Sequence, residues 1–302
     1  MSINGFIRFL FYSNLFYAFC LFSLLLQTAI VLPLPIPTRF YFLLCGMVLL
    51  FYTHAYYSST SPSHNNDERL SWYQKYHSRL FISQLLLTLL LLISAIPFFP
   101  SLFHRLLPPS IPSSWPALLF PLLALLYYGG IQPGHSRLNL RQYGWLKPII
   151  IALVWSGTSI FIPLWWMQTP SRPFLPNTAT LLLFFQQTFF LAAISILFDI
   201  KDFNADHNQE LKTWAVRIGP ELLLQRLIMP LSLLGCLLEL IPIHLTGYPP
   251  IACVLNCIPW VLLIFACRSL NRNTPILHYL WLIDGLIPAK AGIGIFAHLL
   301  TH

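Results

Sequence analysis

Long apolar runs separated by short polar stretches dominate the chain. At about 20 residues per crossing, they predict nine membrane-spanning helices, roughly 6–31, 40–57, 79–99, 111–128, 147–167, 178–198, 223–242, 249–266 and 276–298. The fourth is the least regular, because Pro116 and Pro121 interrupt it and Gly129-Gly130 end it. Proline inside a membrane helix is tolerated where neighbours satisfy the freed carbonyl. The first run, from Phe6 to Val31, is too long for the core of a cleaved signal and lacks a small-residue cleavage site, so it reads as the first helix. There is no internal repeat, and no tail or linker is long enough for a separate module. Residues 1–302 therefore read as a single polytopic membrane domain.

Composition turns that pattern into a fold class. The chain is 57% hydrophobic and 9% charged, with a mean hydropathy of +0.69, against about 25% charged residues in soluble domains. A water-facing surface cannot be made from it. The expectation is an all-α integral membrane protein, a bundle of about nine transmembrane helices. Six cysteines lie in or beside apolar runs and read as small residues at helix contacts, not as metal ligands or disulfides. The net charge of +8 reports topology first and gives no reason to expect nucleic acid.

The loops after the second, fourth, sixth and eighth spans, with their flanking helix ends, hold Arg69, Lys75, Arg79, Arg137, Arg141, Lys147, Lys201, Lys212, Arg217, Arg226, Arg268 and Arg272, twelve of the 17 basic residues. The alternate loops hold Arg39, Arg105 and Arg172. The positive-inside rule places the N-terminus and the even loops in the cytoplasm and the C-terminus across the membrane. A bacterial cytoplasmic membrane is the expected location.

Three of the nine carboxylates, Asp199, Asp202 and Asp206, leave the sixth span on that basic side. If the helix continues through them, spacings of three and four put all three on one face. Oxygen ligands near a membrane surface suit Mg²⁺, which uses one or two carboxylates with phosphate oxygens and waters. A solvated helix end is the alternative from spacing alone. Acidic and basic side chains gathered on one face suit a phosphorylated ligand bound through a divalent cation.

The stretch Asp199-Ile200-Lys201-Asp202-Phe203-Asn204-Ala205-Asp206, followed by Lys212-Thr213 and Val216-Arg217-Ile218-Gly219, resembles the second aspartate-rich motif of the UbiA superfamily of intramembrane prenyltransferases. Lys147 with Ile151-Ala152-Leu153-Val154-Trp155 is similar to that family's fifth helix. The resemblance implies nine helices, a cytoplasm-facing site, Mg²⁺, a prenyl diphosphate donor and a lipophilic, aromatic acceptor within the bilayer. Mg²⁺ would assist ionisation of the allylic C1–O bond, and the acceptor would attack the resulting cation. A metal with Arg or Lys suits a polyanionic leaving group, and an apolar cavity excludes water. By position, Asp202 and Asp206 would be metal ligands with Asp199 in support. Lys212 would be the first diphosphate contact, with Lys147, Arg137 and Arg141 as further candidates beside their plainer reading as topology-setting charge.

The family's first motif, Asn-x-x-x-Asp-x-x-x-Asp, is degenerate here. Its place reads Phe51-Tyr52-Thr53-His54-Ala55-Tyr56-Tyr57-Ser58-Ser59, with no carboxylate. The nearest acids, Asp67 and Glu68, are either replacement metal ligands or N-terminal caps of the next helix. His54 is either a polar contact to the ligand or a hydrogen-bonded residue at a helix end. Deeper in the spans lie Glu239, Asp284 and Lys290, each costing about 2.5–3.5 kcal/mol to insert unpaired; a pairing of Glu239 with Lys290 across helices is open to them, and their positions along the chain do not decide it. Asn14, Gln186 and Gln187 are either cavity-lining polar residues or, the plainer reading, hydrogen bonders between helices. Two other functions fit parts of this pattern. One is a non-catalytic relative that binds an isoprenoid or scaffolds membrane partners. The other is a small transporter built on Glu239, Asp284 and Lys290.

Overall fold

The structure is a computed structural model. It describes residues 3–58, 68–106, 111–127, 143–168, 176–208, 212–245, 247, 249–270 and 274–300, with backbone alone at 3–4, 57–58, 103–106, 111–117, 204–208 and 243–244. The described residues are helical, with no strand among them. Among the described residues, seven helical stretches are long and apolar enough to cross a membrane: Thr38–Tyr56, His77–Leu102, Gly144–Trp166, Thr178–Phe203, Pro220–Pro242, Pro250–Arg268 and Ile276–Leu299. An eighth is counted if the bent pair Gly5–Tyr12 and Leu15–Val31 is one span. The predicted fourth span corresponds to a 17-residue helix, Ile111–Tyr127, of which Leu118–Tyr127 is a short apolar helix. The chain is thus a helical, multi-pass membrane protein, with seven to eight candidate spans among the described residues where hydropathy alone predicts nine.

Packing divides it into two compact units, residues 1–22 with 36–110, and 23–35 with 111–302. The first unit contains α1 (Ile3–Tyr12), the first half of α2 (Leu15–Val31), α3 (Thr38–Ser58), α4 (Glu68–Lys75), α5 (His77–Ala95) and α6 (Phe99–Leu106). Between α1 and α2 the chain turns by 65° at Asn14, whose φ of 64° is left-handed, a conformation asparagine tolerates better than most side chains. The Asn14 side chain fixes this turn. Its Nδ2 donates to Thr53 Oγ1 at 3.1 Å and to Tyr73 OH at 2.7 Å, and its Oδ1 accepts from Arg69 Nη2. The Arg69 guanidinium, 2% exposed, lies 3.8 Å from the Tyr56 ring centroid, a cation–π contact strengthened by exclusion of water. Burial pushes the Tyr73 phenol up from its ordinary value.

The second unit contains the rest of α2, α7 (Ile111–Tyr127), α8 (Lys147–Trp166), α9 (Thr178–Asn208), α10 (Trp214–Ile218), α11 (Pro220–Leu223), α12 (Met229–Leu245), α13 (Pro250–Arg268), α14 (Ile276–Tyr279) and α15 (Leu286–Leu299). π turns at Leu224–Ile228 and Leu280–Asp284 join α11 to α12 and α14 to α15. Helices α8 and α9 pack side by side and are the most buried spans. In each, 61% of the apolar window is covered by protein. Gly157 on α8 makes room for the Phe120 ring of α7, which stacks on Phe161 at 5.9 Å.

Several polar residues deep in this unit bond across helices. Ser159 Oγ donates to Gln187 Oε1 at 2.9 Å, and Gln187 Nε2 to Gln27 Oε1 at 3.3 Å. Gln186 Nε2 donates to the Leu238 carbonyl at 3.1 Å. Lys290 and Glu239 form an ion pair at 2.7 Å, their side chains 4% and 1% exposed. Trp260 Nε1 donates to the same Glu239 oxygen at 3.4 Å. In hydrocarbon an isolated charge is costly, and here two opposite charges meet among four helices, since Phe190 lies 5.5 Å from the Lys290 ammonium.

Candidate functional site

Helix α9 does not stop where its apolar run ends. It runs unbroken for 31 residues, from Thr178 to Asn208, so positions 199, 202 and 206 fall on one face of a single helix. Asp199 is fully buried. The Asp202 side chain is 48% exposed, and that of Asp206 lies outside the described residues. Lys201, between them in sequence, turns away and donates to the Thr274 carbonyl at 3.0 Å.

Lys147, the first residue of α8, reaches across to α9. Its Nζ stands 3.4 Å from Asp199 Oδ1 and 3.4 Å from Asp202 Oδ2, with the lysine side chain 20% exposed. A helix N-terminus disfavours a cation, and the two carboxylates offset that. Both contacts are longer than the ~2.7–2.9 Å of a closed charge-assisted bond, so the ammonium is shared between the carboxylates.

A backbone clamp fixes where Lys147 starts. The turn Gly144–Leu146 that leads into α8 lies against the segment that follows α9. Trp214 Nε1 donates to the Trp145 carbonyl at 2.9 Å. A Cβ on Gly144 would stand 2.7 Å from the Thr213 amide nitrogen and 3.0 Å from the Lys212 carbonyl carbon, so this approach requires glycine. Thr213 is buried. Gly219, with φ 88°, ends α10 in a conformation suited to glycine and donates its N–H to Ala215 at 2.9 Å. The Lys212–Gly219 half of the sequence pattern thus positions α8 against α9. Lys212 itself is exposed.

The structure therefore brings Lys147, Asp199 and Asp202 together. Arg137, Arg141 and Asp67 lie outside the described residues. Glu68 belongs to the first unit and opens α4, where an acid favours the helix dipole. It accepts from Tyr12 OH at 3.2 Å and pairs with Arg8 at 3.6 Å. His54 is exposed on α3. Among the described residues, no three His, Cys, Asp or Glu side chains gather as a metal-holding group, and no disulfide joins the cysteines.

Sequence reasoning did not find the pairing of Lys147 with both aspartates, nor the cluster around Arg69. For the cluster a signal exists: Arg69 and Tyr73 at helical spacing, and Thr53 with Tyr56 at three, all in a chain with few charges. In comparisons with known proteins, the chain matches no family model, no curated protein and no solved structure.

Proposed function

We propose that this chain is a UbiA-like intramembrane prenyltransferase of nine spans, moving a prenyl group from a prenyl diphosphate to a lipophilic, aromatic acceptor at a cytoplasm-facing site. The observation that carries the reading is the motif Asp199–Asp206 on a continuous α9, with a lysine from α8 held against its first two acids. The donor set suits Mg²⁺: it is all oxygen, and two carboxylates are what Mg²⁺ takes from protein when phosphate and water complete its shell. Asp202 and Asp206 would hold the ion, with Asp199 in support, and the ion would supply charge stabilisation to the departing diphosphate.

The chain's own residues do the rest. Lys147 brings a positive charge to the polar end of α8 and α9, where an anionic leaving group needs one. The Gly144–Thr213 approach fixes the base of that lysine. The packed α8–α9 pair keeps water from the buried side of the site. Purified protein incubated with prenyl diphosphates of several lengths, Mg²⁺ and a panel of lipophilic aromatic acceptors should form a prenylated product, and Asp202→Asn should abolish it. The absence of product across the panel overturns the transferase reading.

One observation favours a second reading, a non-catalytic relative that binds an isoprenoid or scaffolds membrane partners. The 51–59 segment has no carboxylate, and its Thr53 and Tyr56 are engaged with Asn14 and Arg69. Donor binding without turnover is the result that reading predicts.

A further inference from the structure

The contact at the end of α9 places a cation of the protein's own between the two described carboxylates. Three features make it displaceable. The ammonium stands 3.4 Å from each oxygen, short of a closed charge-assisted bond at about 2.7–2.9 Å. It sits at the first residue of α8, where the helix end repels positive charge. Its backbone is clamped through Trp145 and Gly144, so the charge moves only by turning the flexible four-carbon stem, and it has an open side to turn to, the lysine being 20% and Asp202 48% exposed.

We propose that Lys147 is a resident counter-ion that competes with a divalent cation for Asp202, with Asp199 behind it, and swings out of the pair when that cation binds. Asp199, fully buried, is then a positioning residue that keeps Lys147 poised. Asp202 is the arm that a cation reaches from water. Without a divalent cation, the lysine keeps two neighbouring carboxylates from repelling each other. With one, the same ammonium is released beside the site as a free positive charge. The inference rests on the metal–diphosphate reading only for the class of competitor; its test needs neither donor nor turnover.

The probe is Mn²⁺ alone, added to the full chain in detergent, with free Mn²⁺ followed by its electron paramagnetic resonance signal. Lys147→Met should bind Mn²⁺ about ten-fold more tightly than the unaltered protein, since a competing charge has been removed. Equal or weaker binding overturns the proposal. Because Lys147→Met strips a buried carboxylate of a partner and risks the fold, the unaltered protein carries a second readout. Pulse labelling with an amine-reactive reagent, followed by peptide mapping, should modify Lys147 several-fold faster in saturating Mn²⁺ than without it. Unchanged or slower labelling overturns the proposal, as does a protein that binds no Mn²⁺. Mn²⁺-dependent release of Lys147 in a protein that turns over no prenyl donor would remove the transferase reading and leave this inference standing.

Discussion

Asp199 and Asp202 share one lysine, yet burial gives them opposite energetics. Asp199 is wholly inside the protein, so Asp199→Asn leaves the largely buried Lys147 short of a partner and should destabilise by about 3–5 kcal/mol. The half-exposed Asp202 is screened by water, and Asp202→Asn should cost less than about 1 kcal/mol while removing donor-dependent activity. Thermal unfolding in detergent, set beside product formation, separates the two. Equal destabilisation by both variants would contradict the burial argument. The three aspartates were legible in the sequence because so few other charges surround them. Their lysine was legible only as a basic residue at a helix start: its reach to α9 depends on how α8 packs, which no spacing within one segment encodes. The Asn14–Arg69 cluster was hidden for the same reason, since it draws on α3, α4 and the turn between α1 and α2.

At the scale of elements, the apolar runs located the helices, and what they missed lies at breaks and ends. The first run is continuous in hydropathy but bent by 65° at Asn14, because one residue takes a left-handed φ and spends its side chain on Thr53, Tyr73 and Arg69. The sixth run ends near residue 198 by hydropathy, while its helix continues to Asn208. Backbone hydrogen bonding continues where apolarity does not. Two element contacts yield predictions. Gly144→Ala places a methyl against the Thr213 backbone. Such overpacking should cost about 1–3 kcal/mol and reduce turnover by displacing Lys147, an outcome read from unfolding and single-turnover rates. The Glu239–Lys290 pair is buried on both sides, so Glu239→Gln or Lys290→Met alone should destabilise by about 3–5 kcal/mol, and the double variant should recover much of the loss. A double variant as unstable as the sum of the two singles would show that the pair is not coupled.

For the whole molecule, the charge asymmetry of the loops and the helix count bear on the same question. The described residues contain seven to eight candidate spans, and the helix Ile111–Tyr127 bears on whether the number is odd. With nine crossings, a periplasmic-active reporter fused after His302 should be active, and a cytoplasmic-active one at residue 135 should be too. Activity of a cytoplasmic reporter at His302 would remove one span and move the C-terminus to the basic side. That the basic loops at 58–78 and 129–147 share one face is an expectation from charge alone, which these fusions test. What composition cannot encode is the division into two compact units, because it depends on which helices pack together and not on which are apolar.

Mg²⁺-dependent binding of a radiolabelled prenyl diphosphate to the purified full chain, compared between unaltered protein and Asp202→Asn, tests the central claim most directly. Saturable binding that requires Mg²⁺ and is lost in Asp202→Asn is the predicted result. No saturable binding, or binding indifferent to both Mg²⁺ and Asp202, would contradict it.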